Sequence, residues 1–439
     1  MPTANPTPAI AINHVQTRLL WAYVLVNLLT FALRYHQYSD TSSLIWVPLA
    51  RASAACIYLN FGLLLLPMLR MTLSWRRFDA LRQILPLSKA MAAHMLVGNA
   101  IVLFSAIHVG AYAAIYLAAN LRLEQIAFAV PVSGLALTVL IVLLAAGAWL
   151  RTRLPFEVFF YSHFLAVPVF VLCIIHTRLF LAVMLVPAIA YLMDRLFRLL
   201  WSTQAAKIEH IAVQGRDISL VIHRPAQFTY QAGDFAFLCV PGLSRMQWHP
   251  FSLINSPDAG GSLAFRIRRC GNWTEKLGGL PIGTRVLVDG PFASPCRDLH
   301  ECRSAIIVAA GIGITPFASF LAEIESNYKG TGELLAFERL HLYWFERDQA
   351  SQAGFYPLIE RLERSLGGAL TANLIVAAQA QEPLKRLVSV RTVQWDEEFG
   401  RLREQWLGAT VFFCGPKPLS NIVRASSERA GFAFVTESF

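Results

Sequence analysis

The sequence predicts an α-helical six-helix transmembrane bundle joined to a soluble half made of a small antiparallel β-barrel and a doubly wound α/β domain. Three observations carry this expectation. Hydrophobic residues make up 55% of the 439-residue chain and charged residues only 15%, against about 25% charged in ordinary soluble proteins; the mean hydropathy is +0.48. Nearly all long apolar runs lie before Trp201. Beyond that point come short β-type runs broken by Gly and Pro, and then alternating strands and helices.

Six apolar segments, approximately 18–35, 44–67, 90–119, 129–150, 156–177 and 179–200, each fit a spanning helix of roughly 20 residues. The turn near His176–Leu179 is very short, so one long helix is the alternative there, at over 40 residues, more than a bilayer requires. The connections RMTLSWRRFDALRQ and RTRLP are basic, and Arg195 and Arg198 flank the exit of the last segment. By the positive-inside rule these sides are cytoplasmic. HQYSD, NLRLEQ and HTR then face outward, and both termini are expected inside, in a multi-pass protein of the plasma (inner) membrane.

The net charge of +10 follows this placement of arginines at segment ends, so nucleic-acid binding is not expected. Phosphate-rich cofactors are a second sink for positive charge. Seven cysteines include no CxxC pair, so neither a disulfide framework nor a zinc site is expected. The N-terminal MPTANPTPAIAINHVQTR lacks the marks of a signal peptide, and no EF-hand pattern announces a calcium switch. Oligomeric state is not encoded legibly.

After Ala206 the runs KIEHIAVQGRDISLVIHRP, DFAFLCVPG, GSLAFRIRRC and TRVLVDG read as about six strands without intervening helices, a small barrel. From about Cys302 the order is strand, Gly-rich turn, helix, strand: SAIIVAAGIGITPFASFLAEI, RLHLYWFERD, then YPLIERLERSL. That is the doubly wound pattern. The expected domains are 1–203, 204–299 and 300–439.

Four histidines, His94, His108, His163 and His176, lie in the third and fifth spanning segments. An ionisable residue there is functional by default. A lone histidine also serves as a polar packing residue bonded across helices, but two pairs at matched depth suit two bis-imidazole haems. His94 and His108 are 14 apart, roughly 20 Å along a helix and within about 40° of one face. His163 and His176 are 13 apart, which an ideal helix sets about 140° apart. Pro168 lies between them and can kink the helix. Both helices run outward, so His94 pairs with His163 near the cytoplasm and His108 with His176 near the outside.

LARASAACIYLN and LLPMLR in helix two, SAIH in helix three and FEVFFYSHFL in helix five are similar to the core of the NADPH oxidase and ferric reductase family, closest to its NADPH oxidase branch and of a prokaryotic type. The resemblance runs to the last residue. It implies a ferredoxin-reductase-like FAD-binding β-barrel, an NADPH-binding α/β domain and two b-type haems. Arg51, which otherwise could snorkel to headgroups, matches an arginine beside the outer haem where oxygen is reduced. The related oxidases carry a second histidine one turn after the outer ligand; this chain has Tyr112 there.

In the family the residues matching His249, Pro250, Phe251 and Ser252 of WHPFSLINSP line the flavin, with the serine near N5. In RIRRCGNWT, Arg268 is expected to meet the pyrophosphate. Gly271, Trp273 and Thr274 form the turn that offers N–H groups to it. Gly311 and Gly313 of GIGITP let backbone approach a phosphate, and Thr315 and Pro316 complete the ferredoxin-reductase-like form of the turn. Cys414, Gly415 and Pro416 of FFCGPKPL are expected beside the nicotinamide. Cys414 taken alone reads as a small buried residue ending a strand. Arg347 and Arg391 match positions near the adenosine end, where a 2′-phosphate favours guanidinium, so NADPH is expected over NADH. The terminal Phe439 matches an aromatic that covers the flavin until nicotinamide displaces it.

The expected function is transfer of electrons from cytoplasmic NADPH through FAD and two haems to molecular oxygen outside, giving superoxide. Reduction of a ferric or cupric chelate is the rival on the same scaffold.

Overall fold

The structure is a computed structural model. It describes residues 8–40, 42, 44–69, 87–119, 132–331, 338–346, 354–376, 393–403, 405–406 and 408–437. Two compact units emerge, one spanning His14–Leu196 and the other running from Phe197 onward.

In the first unit the helices are α1 (Pro8–Ser39), α2 (Trp46–Leu64), α3 (Leu87–Ala118), α4 (Val132–Trp149), α5 (Phe156–His163), α6 (Ala166–His176) and α7 (Arg178–Phe197). Among the described residues six spans are long and apolar enough to cross a membrane, with α5 and α6 forming one of them. Thr177 breaks the chain between α6 and α7 by turning to extended backbone, φ −154° and ψ 126°. That excludes the single long helix. The basic RMTLSWRRFDALRQ connection and NLRLEQ lie outside the described residues.

Between α5 and α6 the winding tightens. Phe164, Leu165 and Val167 donate to the carbonyls of Tyr161, Ser162 and Phe164, each three residues back. Pro168 has no N–H to give Phe164, and its ring excludes the regular α contact. A residue wound this tightly turns about 120° rather than 100°. A few such residues bring His176 back toward the side of the helix that carries His163. The break therefore reduces the angular offset that the sequence spacing implies.

Apolar packing of Phe61, Val97, Ile101, Leu137, Val169, Cys173, Phe180 and Met184 fills the centre of the bundle. A polar clamp joins α1 to α2. Tyr23 donates to Asn60 Oδ1 at 2.5 Å, and Asn60 Nδ2 donates to Asn27 Oδ1 at 2.6 Å. Such bonds hold helices together where lipid gives no hydrophobic drive.

The second unit begins with six strands: β1 (Thr203–Gln214), β2 (Asp217–His223), β3 (Phe235–Cys239), β4 (His249–Ser252), β5 (Ser262–Arg268) and β6 (Arg285–Phe292). Their order is β4-β3-β6-β1-β2-β5, and an antiparallel bridge between Leu253 and Phe265 joins the two ends. The inward residues Ile208, Leu220, Leu238, Leu253, Phe265 and Val288 are fully buried or nearly so. Alternation along each strand makes this a packed barrel.

A five-stranded parallel sheet follows, ordered β11-β10-β7-β8-β9. Its strands are β7 (Ser304–Ala310), β8 (Arg339–Glu346), β9 (Leu370–Val376), β10 (Thr410–Cys414) and β11 (Ala433–Glu437). From β7 the chain builds outward through β8 and β9, then returns to place β10 on the other side. The strand order thus reverses between β7 and β10, and ligands of doubly wound folds bind at the carboxyl ends of such a pair.

Candidate functional site

In the membrane unit, His94 and His163 come together with ring centroids 6.1 Å apart. Two imidazoles at this separation would leave room for one metal ion between them. His108 has His176 as an electrostatic neighbour.

The sequence reading missed what holds these rings. His94 Nδ1 bonds the carbonyl of Leu64 at 3.1 Å, and His108 Nδ1 bonds that of Ala50 at 3.0 Å. Both carbonyls belong to α2, running antiparallel to α3. Ala50 and Leu64 are separated by the same fourteen residues as His94 and His108. A carbonyl accepts only from N–H, so each Nδ1 carries the proton and Nε2 keeps its lone pair for a metal. His163 Nδ1 is buried with no hydrogen-bond partner among the described residues. His176 Nδ1 meets Ser133 Oγ at 3.0 Å. The donor set fits two bis-histidine haems. The repeated spacing on α2 was a signal in the sequence, but only the antiparallel register gives it meaning.

Arg51 is exposed on α2, one residue after the carbonyl that holds His108, with its guanidinium 5.6 Å from the Tyr38 ring centre. Tyr112 packs on His108, ring centroids 5.0 Å apart.

In the barrel, His249, Pro250, Phe251 and Ser252 are β4, a strand that among the described residues pairs only with β3. Trp273 stacks against His249 at 4.3 Å and Phe251 at 6.0 Å. Burial lowers the His249 pKa, favouring a neutral ring. Trp273 Nε1 is buried and has no partner among the described residues. A buried donor of this kind calls for an acceptor, and a flavin nucleotide supplies many. Gly271 opens the short helix α8 (Asn272–Leu277), and Thr274 Oγ1 accepts from Cys270 N–H and donates to Gly271 O. These residues fit FAD.

Arg268 ends β5. Its guanidinium reaches Asp217 at 2.8 Å and Glu346, at the end of β8, at 2.9 Å. Burial opposes its charge, but these two carboxylates outweigh burial and raise its pKa. A pyrophosphate at Arg268 would therefore have to share or replace these partners.

The two glycine turns lie side by side. Gly311 follows β7 with φ +59°, and its carbonyl accepts from Trp344 Nε1 at 3.0 Å. A Cβ on Gly313 would lie 2.3 Å from the Cys414 carbonyl oxygen, and one on Gly415 would lie 2.8 Å from Ala310 Cβ. Only glycine allows this approach of the ends of β7 and β10. Thr315 and Pro316 start α9 (Thr315–Thr331), whose N-terminus opens where the strand order reverses. Pro416 caps α10 (Lys417–Ala430). The arrangement is a backbone cradle for a dinucleotide. Cys414 is buried, and burial followed by the Glu437 charge raises its thiol pKa. A small buried thiol at this strand end helps to shape the crevice. Arg347, Arg391 and Phe439 lie outside the described residues.

Glu437 was not singled out in the sequence. It sits at the end of β11, only 5% exposed, and its Oε2 has no hydrogen-bond partner among the described residues. Burial pushes its carboxyl up to about 7, partly offset by a hydrogen bond with Ser294. The folded state therefore holds this proton more tightly than the unfolded chain does. The resulting stability is present below about pH 4.5 and is lost as pH rises toward 7. Glu437→Gln is expected to flatten that component when melting of the full-length protein is followed by flavin release between pH 4.5 and 7.5. A slope identical to the parent's would remove Glu437 as its source.

Three families match successive parts of the chain. Residues 52–174 match the family described as ferric reductase like transmembrane component, 202–296 an FAD-binding domain, and 302–386 the ferric reductase NAD binding domain. The chain is 29% identical to a superoxide-generating NADPH oxidase heavy chain of Dictyostelium discoideum, over 93% of this chain and 92% of that one. It is 24% identical to NADPH oxidase 5 of Homo sapiens, over 97% of this chain and 70% of the relative. A ferredoxin NADP+ reductase from Neisseria gonorrhoeae with bound FAD and NADP aligns with 54% of this chain and 98% of its own, at 16% identity and a TM-score of 0.43.

The protein is an integral multi-pass membrane oxidoreductase with FAD-binding and NAD(P)-binding domains. Its three successive parts and its relatives make it similar to the NADPH oxidase and ferric reductase family.

Proposed function

We propose that this chain is a transmembrane NADPH oxidase that passes electrons from cytoplasmic NADPH through FAD and two bis-histidine haems to molecular oxygen on the outer face, producing superoxide. The observation that carries the reading is the pair of histidine sites on one bundle, with His94 and His108 each held by an α2 carbonyl. When bound, FAD supplies the conversion of hydride to single electrons, and the haems supply the path across the bilayer. The residues of this chain supply placement. His94 with His163 and His108 with His176 hold the metals. His249, Phe251 and Trp273 shape the flavin wall, and the Gly311–Gly313 and Cys414–Pro416 turns bring the nicotinamide against it. The domains are 1–203, 204–299 and 300–439, with both termini cytoplasmic and the bundle in the plasma (inner) membrane.

One observation favours a second reading. The Tyr112 ring packs on His108 where related oxidases carry a histidine. A phenol donates a hydrogen bond but brings no imidazolium charge, so a ferric or cupric chelate is the alternative acceptor.

Purified protein loaded with haem and FAD is to be given NADPH, with superoxide formation and ferric-chelate reduction measured side by side. Superoxide as the main product is expected, and Arg51→Ala should lower it several-fold while leaving flavin reduction intact. Chelate reduction without superoxide transfers the assignment to the metal reductase. Unchanged superoxide from Arg51→Ala with both haems bound removes this residue from the oxygen site.

Arg347 and Arg391 are proposed to read the 2′-phosphate. Replacing either with alanine should cost about 1.5–3 kcal/mol of binding, roughly 10- to 150-fold in KM for NADPH, with little change for NADH. Equal effects on both nucleotides reject the assignment.

A further inference from the structure

The histidines of α3 are held by carbonyls of α2, but those of α5 and α6 lie against a different helix, α4. A Cβ on Gly134 would stand 3.2 Å from His176 Cε1. Its neighbour Ser133 places Oγ 3.0 Å from His176 Nδ1. Thirteen residues along α4, Gly147 is buried, and a Cβ there would stand 2.6 Å from Ser162 Oγ and 3.3 Å from Ser162 Cβ. Ser162 directly precedes His163, and its hydroxyl donates to the Phe159 carbonyl at 2.9 Å. The spacing of Gly134 and Gly147 equals that of His163 and His176. Because α4 runs antiparallel to α5 and α6, each glycine falls beside one histidine turn.

We propose that α4 is the positioning helix for the second ligand of each haem: Ser133 and Gly134 seat His176, and Gly147 seats the turn of His163 through Ser162. This rests on the reading that the four histidines bind two haems. The two seats differ in chemistry. At His176 the glycine leaves room for the ring, and the serine hydroxyl engages Nδ1, which fixes ring rotation and ligand basicity. At His163 no hydrogen bond reaches Nδ1 among the described residues. There the ring is placed by packing alone, through Ser162 and the Phe159 ring, whose centroid is 5.6 Å away. The inner-pair ligand is thus held by shape, and the outer-pair ligand by shape and a hydrogen bond.

Small residues between membrane helices also serve simple close packing. That role would loosen the bundle as a whole and disturb both haems together. A seating role disturbs one haem at a time, so the two roles predict different spectra.

The test uses full-length protein loaded with haem and FAD, comparing the parent with Ser133→Ala, Gly134→Ala, Gly147→Ala and the double variant Gly147→Ala/Ser162→Ala. Haem content is measured by pyridine haemochrome. The two midpoints come from potentiometric titration, and the low-spin signals from electron paramagnetic resonance. Ser133→Ala and Gly134→Ala are expected to shift the same single haem component, and Gly147→Ala the other one. Removing the Ser162 hydroxyl in the double variant relieves the closest contact and should return the shifted component toward its parental position.

Shifts of both components in one variant, no shift in any, or loss of both haems from Gly134→Ala or Gly147→Ala overturn the proposal. A parent protein without two low-spin haems overturns the four-histidine reading itself, and this proposal with it. A parent with two such haems whose α4 variants fail the pattern overturns the seating role alone.

Discussion

His108→Ala is expected to lower haem content from two to one per chain and to stop reduction of any acceptor on the far side of the membrane. Reduction of flavin by NADPH should continue within about twofold of the parent rate. The reasoning starts from the α3–α2 contact. His108 Nδ1 is committed to the Ala50 carbonyl, so Nε2 is the one nitrogen left for iron. Alanine removes the ligand together with its anchor, and nothing on the next turn replaces it, because Tyr112 offers a phenol. The residues proposed to bind nicotinamide and flavin lie in the unit from Phe197 onward, and His108 lies in the other unit, so hydride transfer is expected not to require it. Spectra of the reduced variant, stopped-flow flavin bleaching and acceptor reduction measure the three quantities. A variant with two low-spin haems and parental acceptor turnover would falsify the ligand assignment.

Gly313→Ala should act on the opposite end of the path. Its Cβ would lie 2.3 Å from the Cys414 carbonyl oxygen and 2.8 Å from the Cys414 carbonyl carbon. Both are backbone atoms of the strand end, so no side-chain rotation relieves the contact. The GIGITP turn and the CGP turn must separate. A displacement near 1 Å at a hydride-transfer site costs on the order of 100-fold in rate. The expected result is a roughly 100-fold slower reduction of flavin by NADPH, with haem content unchanged. Gly400→Ala is the control, since a Cβ there meets nothing within 4 Å. Parental flavin reduction in Gly313→Ala would show that the two turns need not touch for hydride transfer.

Much of the architecture was written locally. Apolar runs of spanning length gave the six membrane segments within a few residues, because burying a backbone in lipid demands continuous helix. Alternation and Gly–Pro punctuation marked the barrel strands, and GIGITP between an apolar strand and a helix marked the nucleotide turn. The four histidines were legible because ionisable groups are rare inside such helices. The motifs WHPFSLINSP, RIRRCGNWT and FFCGPKPL were legible through their resemblance to the family, since Cys414 alone reads as a small buried residue ending a strand.

What the sequence could not state are the relations between distant segments. The 140° offset between His163 and His176 looked unfavourable on an ideal helix; the tightened turn at Phe164–Val167 reduces it by about 60°. The carbonyls of Ala50 and Leu64 are backbone atoms, invisible in any residue pattern until α2 is laid antiparallel on α3. Asp217 and Glu346 reach Arg268 from two other strands. Glu437 reads as an ordinary acidic residue near a chain end, yet its strand carries it inside, 5% exposed. Each of these is a long-range contact set by strand order or helix register. Local sequence determined which elements form, and tertiary packing decided which backbone and side-chain groups meet across them.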